Sequence, residues 1–297
     1  MKFIYFNKLF KAANICSIIL ILISLFFLIF KGLNYGVDFK GGTLIELRVL
    51  DNSVNISNIR EKFKNLELNS VSVKKFGNET DYIVKFQTQN IDDPNFITNL
   101  KLRLSDTLTN NFEFRRVENV GPKVSAELLK SGIIAISLSL LAMLAYIWIR
   151  FEWQFSIGAI LALFHDVIVT LGIFSVFSLE INLSIVAAVL TIVGYSMNDT
   201  VVIYDRVRDN LKKFSSIKIF DLTNISINET LSRTIMTSIT TLLALISIYL
   251  FGGEILKGFS LAMILGVLFG TYSSIYIACP TLVSFKVTQK TISKQDK

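Results

Sequence analysis

Residues 181–204 read INLSIVAAVLTIVGYSMNDTVVIY, an apolar stretch that is long enough to cross a membrane. Asn198 and Asp199 lie inside it. A bare carboxylate at the centre of a membrane helix costs about 2.5 kcal/mol or more, so such residues are rare and usually mark ion paths. The stretch therefore predicts a membrane helix and makes Asp199 the first candidate functional residue. The alternative is a carboxylate that only holds two helices together through a basic partner.

The composition extends this interpretation to the whole chain. Hydrophobic residues make up 52% of the sequence, and the mean hydropathy is +0.55, which is higher than soluble globular chains usually show. A membrane helix needs roughly 17–25 apolar residues. Six runs are close to that length, so we expect an α-helical polytopic membrane protein with six spans, at 12–30, 132–149, 154–177, 181–204, 234–251 and 259–284.

These runs divide the chain into four predicted parts. They are an amino-terminal tail with the first span (1–31), an outward α+β domain (32–127), a bundle of five spans (128–286) and a cytoplasmic tail (287–297). A cleaved secretory signal is the alternative for the first run. Residues 30–32, Phe-Lys-Gly, do not form a small-x-small cleavage site, so an uncleaved anchor is favoured.

The net charge of +7 follows a topological pattern. Outside residues 31–131, the basic side chains concentrate before the first span and at 206–218 and 286–297. The positive-inside rule then predicts that both termini are cytoplasmic. The charge is explained by orientation in lipid, so we expect no nucleic-acid partner.

The outward segment has the pattern of a small independent domain. Alternating and helical spacings of apolar residues predict the order βαββαβ, which is the order of a ferredoxin-like domain, with elements at 43–50, 56–66, 71–76, 82–88, 96–108 and 112–117 and a turn at 77–80. This domain is expected to contact another protein or a moving polypeptide, and a spacer role is the alternative. Paired glycines in 36–43 and the Gly-Pro break in 120–124 predict joints between the domain and the spans.

Polar residues also recur along the fifth span. Those on one predicted helix face are Thr230, Arg233, Thr234, Thr237, Ser238 and Thr241. At a rise of about 1.5 Å per residue, Asp199 and Arg233 reach similar depths in the inner half of the bilayer. Arginine keeps its proton, so of the two only the carboxylate can cycle its charge.

The third span carries the only histidine, His165, next to Asp166. Hydrogen bonding between spans three and four and a proton-relay role are both open for His165. One histidine and two aspartates on separate helices do not make a ligand cluster, so we expect no metal and no cofactor. In the sixth span, Gly266, Gly270 and Ser274 form a small-residue face, expected to pack on span five or on a partner.

Six motifs stand in order along the chain: VDFKGGT at 37–43, VGPKVS at 120–125, FHDV at 164–167, TIVGYSMNDTVV at 191–202, LSRT at 231–234 and GTYSS at 270–274. Read together, they resemble the SecD/SecF family of protein-export membrane proteins. The resemblance implies half of a twelve-span bundle related to resistance-nodulation-division transporters. It implies a SecD-like partner subunit, the SecYEG translocon and a translocating preprotein as contacts, in the bacterial cytoplasmic membrane.

The same resemblance implies that Asp199 and Arg233 take part in proton movement. His165, Asp166 and Asn198 are supporting candidates. Met197 departs from the leucine expected at its position, and both residues are apolar.

Proton-driven assistance to protein export is thus the leading hypothesis, and proton-coupled efflux of small molecules by the same bundle is the alternative. An intramembrane aspartyl protease using Asp166 and Asp199 is disfavoured. Arg233 would keep a nearby carboxylate ionised, whereas a catalytic dyad must share a proton. We therefore expect no enzyme activity.

Overall fold

The computed structural model describes residues 3–50, 56–64, 66, 68–76, 78–87, 95–108, 112–214 and 216–292. Within these residues, six helices are long and apolar enough to cross a membrane, as the sequence predicts. Their bounds are Phe6–Phe30, Pro122–Arg150, Trp153–Val176, Leu183–Lys213, Ile219–Phe251 and Ile255–Ser284.

The first span comprises a short 3-10 helix, Phe6–Leu9, and α1, Phe10–Phe30. The next four are α5 (Pro122–Arg150), α6 (Trp153–Val176), α7 (Leu183–Lys213) and α8 (Ile219–Phe251). The sixth consists of α9 (Gly253–Ser273), a π-helical turn at Ser274–Ala278 and α10 (Cys279–Ser284). A last turn, α11 (Gln289–Ile292), follows, and the remainder of the predicted tail, 293–297, lies outside the described residues.

Several helices are longer than the apolar runs that predict them. α5 begins at Pro122, ten residues before the run at 132, and α8 begins at Ile219, ahead of the run at 234. Polar residues continue the helical backbone beyond the apolar segments, so hydropathy marks the spans but not the helix ends. Pro122 suits the first turn of α5, where its missing N–H would have no helical partner.

Between α1 and α5, strands and helices follow in the predicted order βαββαβ, preceded by two short elements that the sequence did not predict. A short strand β1 (Asn34–Tyr35) and helix α2 (Val37–Lys40) lead to β2 (Gly42–Val49), α3 (Ile56–Lys64), β3 (Asn69–Phe76), β4 (Asn78–Gln87), α4 (Phe96–Leu108) and β5 (Phe112–Val120). The four long strands form an antiparallel sheet in the order β3-β4-β2-β5. β4 begins at Asn78, so the turn predicted at 77–80 is shorter, and Gly77 lies outside the described residues.

One face of this sheet packs on α3 and α4. Its core contains the alternate residues of β2, together with Phe63 of α3 and Leu104 of α4. At the sheet's β2–β4 pair, the Arg48 guanidinium donates to both carboxylate oxygens of Asp81, at 2.6 and 2.8 Å. This hydrogen bonding raises the pKa of Arg48 above its ordinary value.

The helices α7 and α9 pack closely against each other. A Cβ on Gly270 would lie 3.0 Å from Cβ of Ser196, and a Cβ on Gly266 would overlap the side chain of Ile192. The expectation that these glycines pack on span five or a partner was therefore wrong, because their neighbour is α7, the fourth span. Backbones approach closely where no side chain separates them.

Candidate functional site

The site is built around Asp199 on α7. The Asn182 side chain caps the start of this helix by accepting the Ile185 N–H at 3.2 Å. Asp199 is only 3% exposed. Thr271 of α9 donates a long hydrogen bond of 3.4 Å to Oδ2 of Asp199. The predicted intramembrane carboxylate is therefore buried between helices and faces a hydroxyl of the sixth span.

A hydroxyl pair extends from this carboxylate to the fifth span. Thr271 Oγ1 lies 2.8 Å from Oγ of Ser238 on α8. Asp199, Thr271 and Ser238 thus form a hydrogen-bonded line across α7, α9 and α8. Hydroxyls both donate and accept, so this line can reorient when the charge of the carboxylate changes.

Arg233 has a different environment from its predicted partner. Its side chain is exposed, whereas that of Asp199 is buried. Within the described part of the chain, no carboxylate lies within 4 Å of the Arg233 guanidinium, the distance that an ion pair requires. The structure thus does not join Asp199 and Arg233 in an ion pair.

The polar face predicted on α8 divides into buried and open parts. Thr230, Thr234 and Ser238 are buried, whereas Thr237 and Thr241 are half-buried. Most of the stripe therefore faces neighbouring helices of this chain, and Arg233 lies at its exposed edge.

A second polar cluster surrounds Asp166 on α6. Its Oδ2 accepts hydrogen bonds from Ser196 of α7 at 2.5 Å and from Ser273 of α9 at 2.7 Å. Its Oδ1 lies 2.9 Å from Nδ1 of His165. All four residues are 1% exposed or less. One carboxylate therefore ties three helices together, and we call these residues the Asp166 cluster.

His165 extends the Asp166 cluster toward the first span. Its Nε2 is buried and has no hydrogen-bond partner in the described residues. Its ring centroid lies 6.0 Å from that of Tyr272. The Tyr272 hydroxyl in turn donates to the Ala13 carbonyl at 2.8 Å and lies 2.9 Å from Ser17 Oγ. Each hypothesis for His165 is thus supported by one observation. The hydrogen-bonded Nδ1 supports a structural role, and the unbonded Nε2 supports a role in proton relay.

Asn198, the remaining predicted residue, does not join the site. Its side chain is exposed, as are Thr191 and Gly194 on the same face of α7. A Cβ built on Gly194 meets nothing within 4 Å. We call the exposed positions Thr191, Gly194 and Asn198 of α7, together with the exposed Arg233 of α8, the open polar surface, since the Asn198 and Arg233 side chains are not covered by this chain.

Ion pairs join the C-terminal part of α7 to α8 and to α5. Arg206 Nε donates to Glu229 Oε2 at 2.6 Å, and Asn210 donates to the same oxygen at 2.6 Å. Arg150 of α5 donates to Asp205 at 2.8 Å. These pairs lie at the end of the bundle where the sequence concentrates its positive charge.

Sequence reasoning did not identify Ser196, Thr271 or Ser273 as partners of the two aspartates. A signal was present, because all three lie in the motifs at 191–202 and 270–274. The helix faces that bring them together depend on how α6, α7 and α9 pack, which the motifs do not specify. Among the described residues, no group of three His, Cys, Asp or Glu side chains is arranged to hold a metal ion.

Two family models match the chain. The description "Protein export membrane protein SecD/SecF, C-terminal" covers residues 101–288, and the "SecD/SecF GG Motif" covers residues 26–49. The first match contains Asp166, Asp199 and Arg233, and the second contains the paired glycines at 41 and 42.

Similar proteins carry the name "Protein translocase subunit SecF". The one from Rickettsia bellii is 46% identical over 279 residues, which cover 93% of this chain and 91% of that protein. The one from Rickettsia rickettsii is 44% identical over 290 residues, covering 96% and 93%.

Solved structures of SecDF have the same fold. SecDF from a Thermus species, described as a translocon-associated membrane protein, superposes with a TM-score of 0.84 at 33% identity over 95% of this chain. SecDF in its super-membrane-facing form gives a TM-score of 0.72 at 31% identity over the whole chain. This chain spans 38% and 40% of those two SecDF chains.

Proposed function

The chain belongs to the SecD/SecF family of protein-export membrane proteins, and from this premise we propose that it serves as a SecF-type translocase subunit that uses the proton-motive force to promote protein export. The observation that carries the proposal is the buried Asp199 carboxylate, which faces Thr271 of a neighbouring span in a multi-pass bundle. An ionisable group at such a position needs a functional reason, because burial of a carboxylate in a membrane is costly.

The mechanism follows from the change in charge at Asp199. An ionised carboxylate accepts hydrogen bonds only, whereas a protonated one can also donate. Gain or loss of a proton therefore favours different orientations of Thr271 and Ser238 and a different interaction with Arg233. A membrane potential supplies about 2.3 kcal/mol per charge for each 100 mV, which is enough to bias such an equilibrium.

We assign the Asp166 cluster a positioning role. Ser196 is one helical turn before Asp199 on α7, so the hydrogen bond from Ser196 to Asp166 fixes the rotation of α7 at the proton site. Ser273 does the same for α9, two residues after Thr271. The cluster thus holds the two helices that present Asp199 and Thr271 to each other.

The open polar surface supports a heteromeric assembly. The Asn198 and Arg233 side chains would lack hydrogen-bond partners if they faced lipid, which costs several kcal/mol for each unsatisfied group. We propose that a SecD-like subunit covers this surface and completes a twelve-span bundle. The greater length of SecDF supports a second subunit, since this chain matches only 38% of the SecDF chain.

The segment between α1 and α5 is proposed to be a ferredoxin-like domain on the outer side of the bacterial cytoplasmic membrane. Its antiparallel sheet order, β3-β4-β2-β5, with α3 and α4 on one face, supports this fold. Both termini are then cytoplasmic, as the distribution of basic residues indicates. This domain is the part available to a translocating preprotein, and the SecYEG translocon is the proposed neighbour of the assembly.

We propose no enzyme activity for this chain. Asp166 and Asp199 lie on different helices and accept hydrogen bonds from different side chains, whereas an aspartyl dyad shares a proton between two adjacent carboxyls. The efflux alternative is not favoured, because the similar proteins are named as translocase subunits.

Export in membrane vesicles tests the proposal. Vesicles that contain this chain with its SecD-like partner should export a preprotein faster when a proton gradient is present, and an ionophore should remove that gain. Vesicles with the Sec translocon alone provide the control for effects of the gradient on the channel itself. An ionophore effect of equal size in both preparations would contradict the proposal.

A further inference from the structure

Residues 34–41 form a continuous connection between the first span, the outer sheet and the start of α7, and we call them the strap. The strap contains β1 and α2. β1 pairs in parallel with the short strand β6 (Glu180–Ile181), which directly precedes α7. The Gly36 N–H continues this pairing by donating to the Ile181 carbonyl at 2.8 Å.

The strap also caps the helix that carries the proton site. The Leu183 N–H, at the first residue of α7, donates to Oδ2 of Asp38 at 2.9 Å. The first N–H groups of a helix have no partner within it, and a carboxylate there is favoured by the helix dipole. Asp38 therefore fixes the N-terminus of α7 from outside the helix.

Apolar packing reinforces this contact. Phe39 is 7% exposed and lies in one core cluster with Ile181, Ile185 and Ile192 of the β6–α7 segment. Ile192 is one turn before Ser196 on the same helix. A continuous α-helix transmits displacement along its length, and α7 runs unbroken for about 24 Å from Leu183 to Asp199 at 1.5 Å per residue.

At its other end the strap enters the outer sheet. Gly41 and Gly42 have φ values of 74° and 140°, which L side chains rarely adopt. A Cβ on Gly41 would lie 3.2 Å from the Val120 carbonyl oxygen, so the two joints of the domain meet here without space for a side chain. An ion pair between Lys85 of β4 and Glu180 of β6 links the sheet to the same loop.

We infer that the strap couples the outer domain to α7, and that Asp38 is a positioning residue for this coupling. The role of this coupling in export rests on the proposed function, whereas the mechanical link between the outer domain and α7 does not. When the charge of Asp199 changes, the packing of α7 changes with it. The strap moves together with the N-terminus of α7, to which Asp38 is hydrogen-bonded. Gly41 and Gly42 connect the strap directly to the outer sheet, so the sheet moves as well. Loss of the Asp38 cap loosens the connection between the outer domain and α7, while the outer domain and the helical bundle stay folded.

Distance measurements on the complex with the SecD-like partner test the link without reference to protons. Spin labels would be placed at the exposed residues Leu102 of α4 and Phe177 of the α6–α7 loop, in a chain with Cys16 and Cys279 replaced by Ala. Asp38→Ala should broaden the distribution of label distances. Asp38→Asn should restore it, because the amide oxygen still accepts the Leu183 N–H. Lys40→Ala, which changes an exposed side chain of the same short helix, is the matched control.

Export measured in the same samples tests the use of the link. Asp38→Ala should lower gradient-driven export by about fivefold. This is the change in an equilibrium constant that results from the loss of one typical hydrogen bond. Proton flux and complex abundance should remain near wild type, and Asp38→Asn should recover most of the export. An unchanged distance distribution in Asp38→Ala would overturn the coupling. So would an equal loss of flux, export and abundance, which marks a purely structural residue. Absence of any gradient-driven export in the wild type would overturn the proposed function, while the distance result would still decide the link.

Discussion

The hydroxyl of Ser196 on α7 donates a 2.5 Å hydrogen bond to Oδ2 of Asp166 on α6, and both side chains are fully enclosed. Asp199 is one turn further along α7 and faces Thr271 of α9 instead. On successive turns, α7 thus presents Ser196 to α6 and Asp199 to α9. The two aspartates belong to one assembly, in which Asp166 holds the helices and Asp199 is free to change its interactions.

Removal of the Ser196 hydroxyl should therefore destabilise the bundle. Ser196→Ala leaves a buried carboxylate with one donor fewer, which costs about 1–3 kcal/mol. Thermal unfolding of the purified complex should show a lower midpoint. Ser247→Ala is the control, because the Ser247 side chain is exposed on α8 and donates only to Leu243 of its own helix. Equal midpoints for the two variants would show that the Asp166 cluster contributes no stability.

The glycine face of α9 gives a second prediction. A methyl group at Gly266 would overlap Ile192, and overpacking of this kind costs about 1–3 kcal/mol. Gly266→Ala should lower the unfolding midpoint and the abundance of the chain. Gly194→Ala adds the same methyl group at a position with nothing within 4 Å. If Gly266→Ala proved as stable as Gly194→Ala, the close packing of α7 on α9 would be refuted.

A larger residue at Gly194 should act on assembly rather than on the fold. We propose that the open polar surface binds the SecD-like subunit, so Gly194→Trp should reduce co-purification of that subunit from membranes. Leu22→Trp adds bulk to an exposed residue of α1 and should leave co-purification unchanged. Normal recovery of the partner with Gly194→Trp would exclude this surface as the interface.

The orientation of the chain can be tested with reporters. A reporter fused after Lys297 should be active on the cytoplasmic side, and one inserted at Gly77 should be active on the outer side. The expected result follows from the basic residues at 206–218 and 286–297. The reverse labelling would contradict the topology and with it the assignment of the outer domain.

Hydropathy and periodicity were sufficient to predict the six spans and the order of strands and helices between the first two. Both signals depend only on which positions are apolar, and these positions can be read directly from the sequence. The positions of Asp166, His165 and Asp199 inside membrane spans also follow from the apolar runs around them, whereas their burial against other helices does not.

The contacts of these residues could not be predicted in the same way. Adjacent residues on a helix differ by about 100° in direction, so Asn198 is exposed although Asp199 beside it is buried. The hydrogen bonds to Ser196, Ser273 and Thr271 depend on the rotation and pairing of α6, α7 and α9. Tertiary packing decides those, and a single sequence carries no direct record of it.

Asp199→Asn tests the central claim most directly, because asparagine keeps the size of the side chain and removes its titratable charge. Export, proton flux and complex abundance should be measured in the same membranes, with Ser247→Ala as the control, because the Ser247 side chain is exposed and donates only within its own helix. The account predicts normal abundance for Asp199→Asn, with gradient-driven export and proton flux both lost. Full export at normal abundance in Asp199→Asn would contradict the account and remove Asp199 from the mechanism.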